Sequence, residues 1–540
     1  MKPPRTAGVT FSAVVVLAWI EINLPTAAYA FDYTVYALNG SPASGLEEDS
    51  RFSDFDRATV SPGGHVVFVG TASNGSNSGE REGLWSISPS GLELVVSSQS
   101  TLPGFGPEAR IYSMIATYVH DDGDVLFLSL VSSAEHSREL VVWNYESQQL
   151  RLIARATDFA PTYPNNLFAV TTGAGSTPDG KVLYTGGHDG VGSYLSLWLD
   201  DNVQRQQILR EGDPSPADPE ETISILPGRP GAAFLHPDGT LTVQVKLAGI
   251  DGPWQILSGP PNDLHVTFES GTPAPGISGA TLWYLPYNGH YSSLRANDFG
   301  EVGFLSAVSG TGINSSNDGG YWAGPPDALR LVAREGQQAP GMDDGYAFND
   351  LFQYPDLYTF NNNGDFVFVT DAAKDNNGAL DRRQGLWREI DGELQLAVAQ
   401  GMQVPGLPEG TLFSGLGWFQ FNSAGQVVFG AAYPDLLAPS GQVGGIWEAG
   451  PDGIIEPVLV SGMELEVSPG EFRTVSGLLL SAPNSVGRLS QLSDGGQFVT
   501  VVSFQEEGSA ILGTRIPIPE PSTFILALSA LALLSASCRE

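Results

Sequence analysis

A short polar cluster followed by alternating apolar residues recurs along the chain. It is clearest where Asn297-Asp298-Phe299-Gly300 leads into Val302 and Phe304, Asn361-Asn362-Asn363-Gly364 into Phe366 and Phe368, and Asn422-Ser423-Ala424-Gly425 into Val427 and Phe429. Weaker copies place their glycines at Gly64, Gly123, Gly180, Gly239 and Gly496, giving eight copies about sixty residues apart. Asn, Asp or Ser opening a four-residue turn that Gly closes is a β-turn signature, and the period-two alternation after it is a half-buried strand. Val302 and Phe304 are expected to face a core, as are Val66 and Phe68, Val125 and Phe127, and Val182 and Tyr184.

Roughly twenty residues after most of these glycines stands a tryptophan: Trp85, Trp143, Trp198, Trp254, Trp322, Trp387 and Trp447, seven of the ten in the chain. A large ring recurring at one position of every unit is what packing between repeats requires, so these rings are read as core rather than as a ladder for stacking sugars. A third shared block runs from Leu329 to Gly336 and Pro340-Gly341, with echoes at Leu394 to Gly401 and Val458 to Gly462. It reads as a strand leaving through a Gly/Pro loop. One more apolar stretch, such as Leu412 to Phe421, precedes the next turn and brings each unit to four strands.

The predicted class is all-β: an eight-bladed propeller of four-stranded antiparallel blades. A seven-bladed ring or a linear β-solenoid is the alternative. Closure leaves a trace at the ends, because radial folds often finish one blade with strands from both termini. The last unit, from Ser493 to Gly513, lacks the exit block, and Tyr36 to Gly45 aligns with Val332 to Gly341, Ser44 replacing Pro340. The eighth blade is therefore expected to combine both ends of the chain.

Residues 1–30 carry Lys2 and Arg5, an apolar run from Val9 to Ile20 and an Ala28-Tyr29-Ala30 site, the pattern of a signal peptide cut before Phe31 by signal peptidase. Residues 31–516 form the repeat region. Residues 517–540 hold Pro519-Glu520-Pro521, the uncharged stretch Phe524 to Ala536, and Cys538-Arg539-Glu540. About 20 residues are needed to span a bilayer, so this stretch suits a transient sorting helix. It resembles the PEP-CTERM sorting signal of Gram-negative bacteria, although the tail has one Arg followed by Glu. The units likewise resemble the N-x-x-G-x-x-x-F tandem repeats of some PEP-CTERM proteins. The resemblance implies recognition by an exosortase, cleavage near Pro519, Glu520 and Pro521, and release to the cell surface or extracellular matrix, with the membrane engaged only through the C-terminal helix before processing.

A formal charge of −35 sets the surface against phosphate backbones and excludes nucleic acid as a partner. The single cysteine, Cys538, lies in the sorting segment, so no disulfide or cysteine metal cluster is available to the repeat region. The seven histidines fall in no compact ligand pattern, and His120 and His236 occupy turn-opening slots where a solvated residue is expected. No nucleophile elbow or Walker loop is present. Asp371, Asp375, Asn377 and Asp381 gather oxygen donors beside Gly378 and make calcium the cofactor to test, although the spacing is not that of an EF-hand and an ordinary hairpin tip is the reading it favours.

Ligands of propellers usually meet one end of the central channel, lined here by the stretch after each Pro-Gly loop. Trp283, Tyr284, Tyr287 and His290 in the fifth unit, Tyr346, Asp350 and Tyr354 in the sixth and Trp418 in the seventh are the candidates for a carbohydrate-binding funnel, although packing of the channel explains the same residues more readily. The sequence thus reads as a non-enzymatic surface or matrix protein that binds exopolysaccharide or a protein partner. The alternative is a polysaccharide hydrolase or lyase acting at the channel mouth.

Overall fold

The computed structural model describes residues 31–75, 80–88, 91–133, 139–146, 148–155, 159–160, 163–188, 194–216, 219–225, 233–249, 252–284, 294–390, 392–434, 442–481 and 490–518. The signal and sorting segments, including Pro519, Glu520 and Pro521, lie outside them. The strands form eight small antiparallel sheets, arranged in a ring as an eight-bladed β-propeller. Blade 1 covers residues 51–97, blade 2 110–155, blade 3 159–210, blade 4 223–269, blade 5 280–334, blade 6 347–399 and blade 7 415–460. Within a blade the chain steps outward from a hub strand through second, third and outer strands.

Blade 8 joins the two ends. Tyr33–Leu38 pairs antiparallel with Ser509–Arg515, with Tyr33 opposite Thr514 and Leu38 opposite Ala510. The alignment of the termini carries down to single contacts. Trp387 Nε1 donates to the carbonyl of Pro340 at 3.0 Å, and Trp85 Nε1 donates to that of Ser44 at 2.9 Å, the residue aligned with it. Because Gln497 pairs with Arg515 and Ile516 N donates to Gly496 O at 2.8 Å, both ends of the ring-closing pair lie on the face that carries the repeat turns.

The core lies in the seams between blades. Val67, Val69 and Leu84 of blade 1 pack with Val125, Phe127 and Trp143 of blade 2, and the same arrangement recurs around the ring. All eight turn glycines, from Gly64 to Gly496, hold positive φ, which is why the fourth turn position is fixed as Gly while the positions before it vary. Four residues on, the aromatic of the motif stacks on the tryptophan of the third strand: Phe68 on Trp85, Phe127 on Trp143, Phe304 on Trp322, Phe368 on Trp387 and Phe429 on Trp447, with interplanar angles of 14°, 20°, 22°, 19° and 26°. Each such pair contributes roughly 0.5–1.5 kcal/mol beyond the area it buries.

Six of the seven tryptophans hold this position; Trp254 does not. In blade 4 the motif residue Val243 pairs with Leu257, whereas Trp254 opens the third strand opposite Lys246. Distance from the turn glycine alone selects the ring, whereas the ladder register gives that place to Leu257.

The turn-opening residues correct a second expectation. Ser61, His120, Thr177, His236, Asn297, Asn361, Asn422 and Ser493 are all buried. Asn297 Oδ1 accepts the amides of Phe299 at 3.1 Å and Glu301 at 3.0 Å, while Nδ2 donates to the carbonyl of Asn361 in the next blade at 3.3 Å. His120 Nε2 reaches Ser176 Oγ at 2.8 Å, and His236 Nε2 reaches Thr242 Oγ1 at 2.9 Å. Asn297 and His120 tie one blade to the next, His236 bonds within its own blade, and none of the three faces water.

Candidate functional site

Hub strands are the least regular strands of the ring. In blade 2 the pairing slips between Ile111 and Ser113, in blade 5 between Leu282 and Tyr284, and in blade 7 between Leu416 and Phe419. A bulge leaves its extra residue outside the ladder and re-aims the side chain. The residues released are Tyr112, Trp283 and Trp418, which are 56%, 69% and 44% exposed. Large rings held out of a ladder and in water are unlike the six buried tryptophans of the seams, and they make the hub the surface to consider for a ligand.

In blade 6 the hub strand is split into Ala347–Asn349 and Tyr358–Phe360, with a 3₁₀ turn at Leu351–Gln353 between them. The excursion is pinned from below. Glu335 is buried, and its carboxylate accepts the amide of Leu351 at 2.8 Å and that of Gly319 at 2.9 Å. Asp350 enters the turn in the left-handed region with φ 52°. The result is a cavity of about 330 Å³ between blades 6 and 7, lined by Gln353, Tyr354, Asp356, Leu357, Gly417 and Trp418.

Trp418 also borders a second cavity, of about 490 Å³, between blades 7 and 8. Its walls include Gly415, Gly417, Gly430, Gly444 and Gly477, none of which holds positive φ. A Cβ at Gly415 would meet nothing within 4 Å, and at Gly430 only ordinary contact at 3.5 Å. Backbone geometry does not demand glycine at these two positions; their effect is to leave the cleft open beside the indole.

The electrostatics of the first cavity are those of acids losing water. Burial pushes the carboxyl of Asp356 above the usual range, against the pull of Arg295, whose guanidinium lies 4.9 Å from the Tyr358 ring centroid. Burial does the same to Asp371, with Arg382 opposing and Asp350 adding to it, and the Tyr354 hydroxyl is raised by burial and by Asp371. Such a setting combines flat apolar faces with a few hydrogen-bonding groups, as sugar rings require.

Of the eight funnel candidates, Tyr354 and Trp418 meet at one cavity, Asp350 flanks it, and Trp283 stands exposed on blade 5. Tyr284 closes its hub strand, while Tyr287 and His290 lie outside the described residues. Tyr346 does not belong to the funnel. It is buried where the Pro-Gly loop enters blade 6, its hydroxyl donates to Asp381, and its ring lies 4.9 Å from the Arg383 guanidinium and 5.8 Å from Lys374 Nζ.

The four oxygen-bearing residues proposed for calcium are spread along the hairpin of Phe366–Asn376 and Ala379–Ile390 in blade 6. Asp371 pairs with Gln384, Asp375 with Leu380, Asn377 stands at the tip with φ 56°, and Asp381 is held by Tyr346. Asp371 and Asp375 share a face but stand roughly 13 Å apart along their strand, Asp381 lies on the other face, and among the described residues no group of three or more His, Cys, Asp or Glu side chains is placed to hold a metal ion. No helix among the described residues is long and apolar enough to cross a membrane.

Asp356 and Gln353 escaped the sequence reading, yet a signal existed. Gly341 and Asn361 stand twenty residues apart where the equivalent Gly406 and Asn422 stand sixteen, which marks the excursion of blade 6.

No curated protein matches the chain. Solved structures similar to it include the Dos1 propeller, at 10% identity over 89% of this chain and 94% of that one with a TM-score of 0.32. Also similar are Penicillium chrysogenum α-L-arabinanase complexed with arabinobiose, at 10% identity over 66% and 98% with a TM-score of 0.24, and the Pseudomonas aeruginosa periplasmic gluconolactonase PpgL, at 14% identity over 68% and 98% with a TM-score of 0.26. A family model matches residues 63–525, and the chain belongs to that family, the family of unknown function DUF7453.

Proposed function

We propose that the protein is an exported, surface-displayed propeller that binds polysaccharide at its hub without cleaving it. The observation that carries this reading is the meeting of Tyr354 and the exposed Trp418 at one cavity between blades 6 and 7. Aromatic faces supply stacking area for pyranose rings, and Gln353 and Asp356 supply groups for their hydroxyls. Glycan-array binding by the processed protein tests it. Trp418→Ala and Tyr354→Ala each lower the signal on the same glycans if the cavity is the site, and unchanged binding by both variants removes it.

A second reading, glycan hydrolysis, has one observation in its favour: Asp356 shares this cavity and its carboxyl is raised by burial, as a general acid requires. Release of reducing ends from a bound glycan, abolished by Asp356→Asn with binding retained, would establish it.

Export rests on the two ends of the chain. Signal peptidase would free Phe31, and an exosortase would act near Pro519, Glu520 and Pro521 before release from the membrane. Glu520→Ala is expected to leave the chain in the membrane fraction of cells that carry the sorting enzyme, and full release of that variant would refute the sorting reading.

A further inference from the structure

Tyr112 holds in blade 2 the kind of place that Trp283 holds in blade 5 and Trp418 in blade 7, the residue that a bulge lifts out of the hub strand. Beside it is a separate cleft of about 430 Å³, between blades 1 and 2, lined among others by Thr71, Glu82, Gln99, Arg110 and Tyr112. The repeat relates it to the seam already described. Glu82 stands three residues before Trp85, and its Oε1 accepts the amide of Met114 on the next hub strand at 2.6 Å; Gln384 stands three residues before Trp387, and its Oε1 accepts the amide of Leu416 at 2.7 Å. One device therefore anchors both bulged strands, and each bulge then presents a ring at the mouth of a cleft.

We propose that this cleft is a second subsite for the same polysaccharide, and that the chain it takes is an uncharged one. The proposal rests on the polysaccharide-binding reading above and adds to it the second location and the charge class. The lining is balanced: Arg110 Nη1 donates to the carbonyls of Pro107 at 2.8 Å and Ala109 at 2.6 Å, and Arg81 Nη2 donates to Glu47 Oε1 at 3.1 Å. Carboxylate, guanidinium, amide and hydroxyl groups side by side match the donors and acceptors of sugar hydroxyls. With Glu80 and Glu82 balancing Arg81 and Arg110, the lining offers no net charge to draw in an ammonium polymer. The charge of −35 disfavours a uronate polymer approaching the ring.

Access is consistent with display. The ring-closing strands Tyr33–Leu38 and Ser509–Arg515 leave the blade on the turn face. The cleft is built from the opposite ends of the strands, beside the Ala72–Arg81 pair that ends the ladder of the second and third strands of blade 1 and the start of the Arg110–Val119 strand. The mouth of the cleft therefore stays clear of the segment that leads to the sorting motif. Two subsites on one ring also make binding of a long polymer stronger than binding of a short oligosaccharide, through effective concentration.

The test uses the processed full-length protein, with dextran, laminarin, alginate and chitosan as probes in affinity electrophoresis, and calorimetry on the polymer that binds. Tyr112→Ala, with its melting curve recorded as a control, is expected to lower affinity for the neutral polymer roughly tenfold, and Glu82→Gln, which keeps the bond to Met114, by less. Tyr112→Ala together with Trp418→Ala is expected to abolish retention. If Trp418→Ala weakens binding while Tyr112→Ala binds as the parent does, the second subsite is wrong and the hub site stands. If Tyr112→Ala weakens binding and Trp418→Ala does not, the hub reading fails and this cleft remains. Retention by alginate or chitosan alone would overturn the charge class, and retention by none of the four polymers would overturn both readings.

Discussion

The side-chain amide of Asn361 donates to the main-chain carbonyl of Asn422, 3.1 Å away across the seam between two blades and 61 residues along the chain. Its oxygen meanwhile accepts the amides of Asn363 at 2.9 Å and Asp365 at 3.0 Å within its own turn. One residue thus shapes a turn and ties it to the next, and Asn422 repeats the pattern by donating to Ser493 O at 3.0 Å. Asn361→Ala would leave two turn amides and one carbonyl without these partners in a buried setting, at a cost of about 2–4 kcal/mol. A fall in the urea midpoint with the slope unchanged is the expected result. Asn361→Ser, the residue found at Ser61 and Ser493, keeps the turn acceptor and should lose less.

Four of the six seam tryptophans are seated on glycines. A Cβ at Gly385 would come 2.4 Å from the Trp387 ring, and at Gly83 2.5 Å from that of Trp85. Where Val141 takes the same place before Trp143, the indole N–H turns to Ser129 Oγ at 2.7 Å instead of a loop carbonyl. Gly385→Ala should therefore displace a fully buried ring and destabilise the protein by about 3 kcal/mol, whereas Gly415→Ala, with open space around its Cβ, should stay within about 0.5 kcal/mol. Urea titrations of the two variants, and quenching of tryptophan fluorescence in the first alone, check the contrast.

The ring and its closure were legible because they rest on period: turn glycines recur at the repeat distance, and the missing exit block of the last unit lies at Tyr36 to Gly45. The site was legible only in part. Trp418 and Tyr354 stood out as residues the repeats do not share, but Tyr112 did not, since a ring reaches water at that point through a slip of register that composition does not announce. Tyr346 failed for the converse reason. An unshared aromatic beside the hub reads as a ligand contact in sequence, whereas Asp381 and Arg383 of the neighbouring hairpin hold it in the fold. Glu82, alone in sequence, acquires meaning only when Met114 is folded against it.

Closure by Tyr33–Leu38 is expected to hold the last blade together. Ala37 is buried opposite Ile511, in a cluster that spans Phe52, Val66 and Val499. Ala37→Pro puts a rigid ring into that strand and distorts its pairing with Ser509–Arg515. Hydrogen exchange of residues 509 to 515 should rise from protection comparable with blade 5 to that of an edge, with blades 4 and 5 unchanged. Uniform protection across all eight blades in the variant would show that the ring closes without the N-terminal strand.

Glu448 gives the fold a pH dependence of its own. Its carboxyl is buried, with Glu456 opposite it in the ladder and Asp452 nearby, and these raise its pKa from 4.5 to about 7 despite the pull of Arg388. The folded protein therefore holds a proton that the unfolded chain gives up once the pH passes about 4.5. The stabilisation from this group is complete below that value, declines as pH rises and is gone above about 7. Glu448→Gln stays neutral throughout and keeps a side chain of the same shape. The urea midpoint of the variant should match that of the parent at pH 4, exceed it increasingly between pH 5 and 7, and stay above it by a constant margin at pH 8. A parent that gains on the variant as pH rises would mean that Glu448 is held ionised by Arg388, and the burial argument would then have the wrong sign.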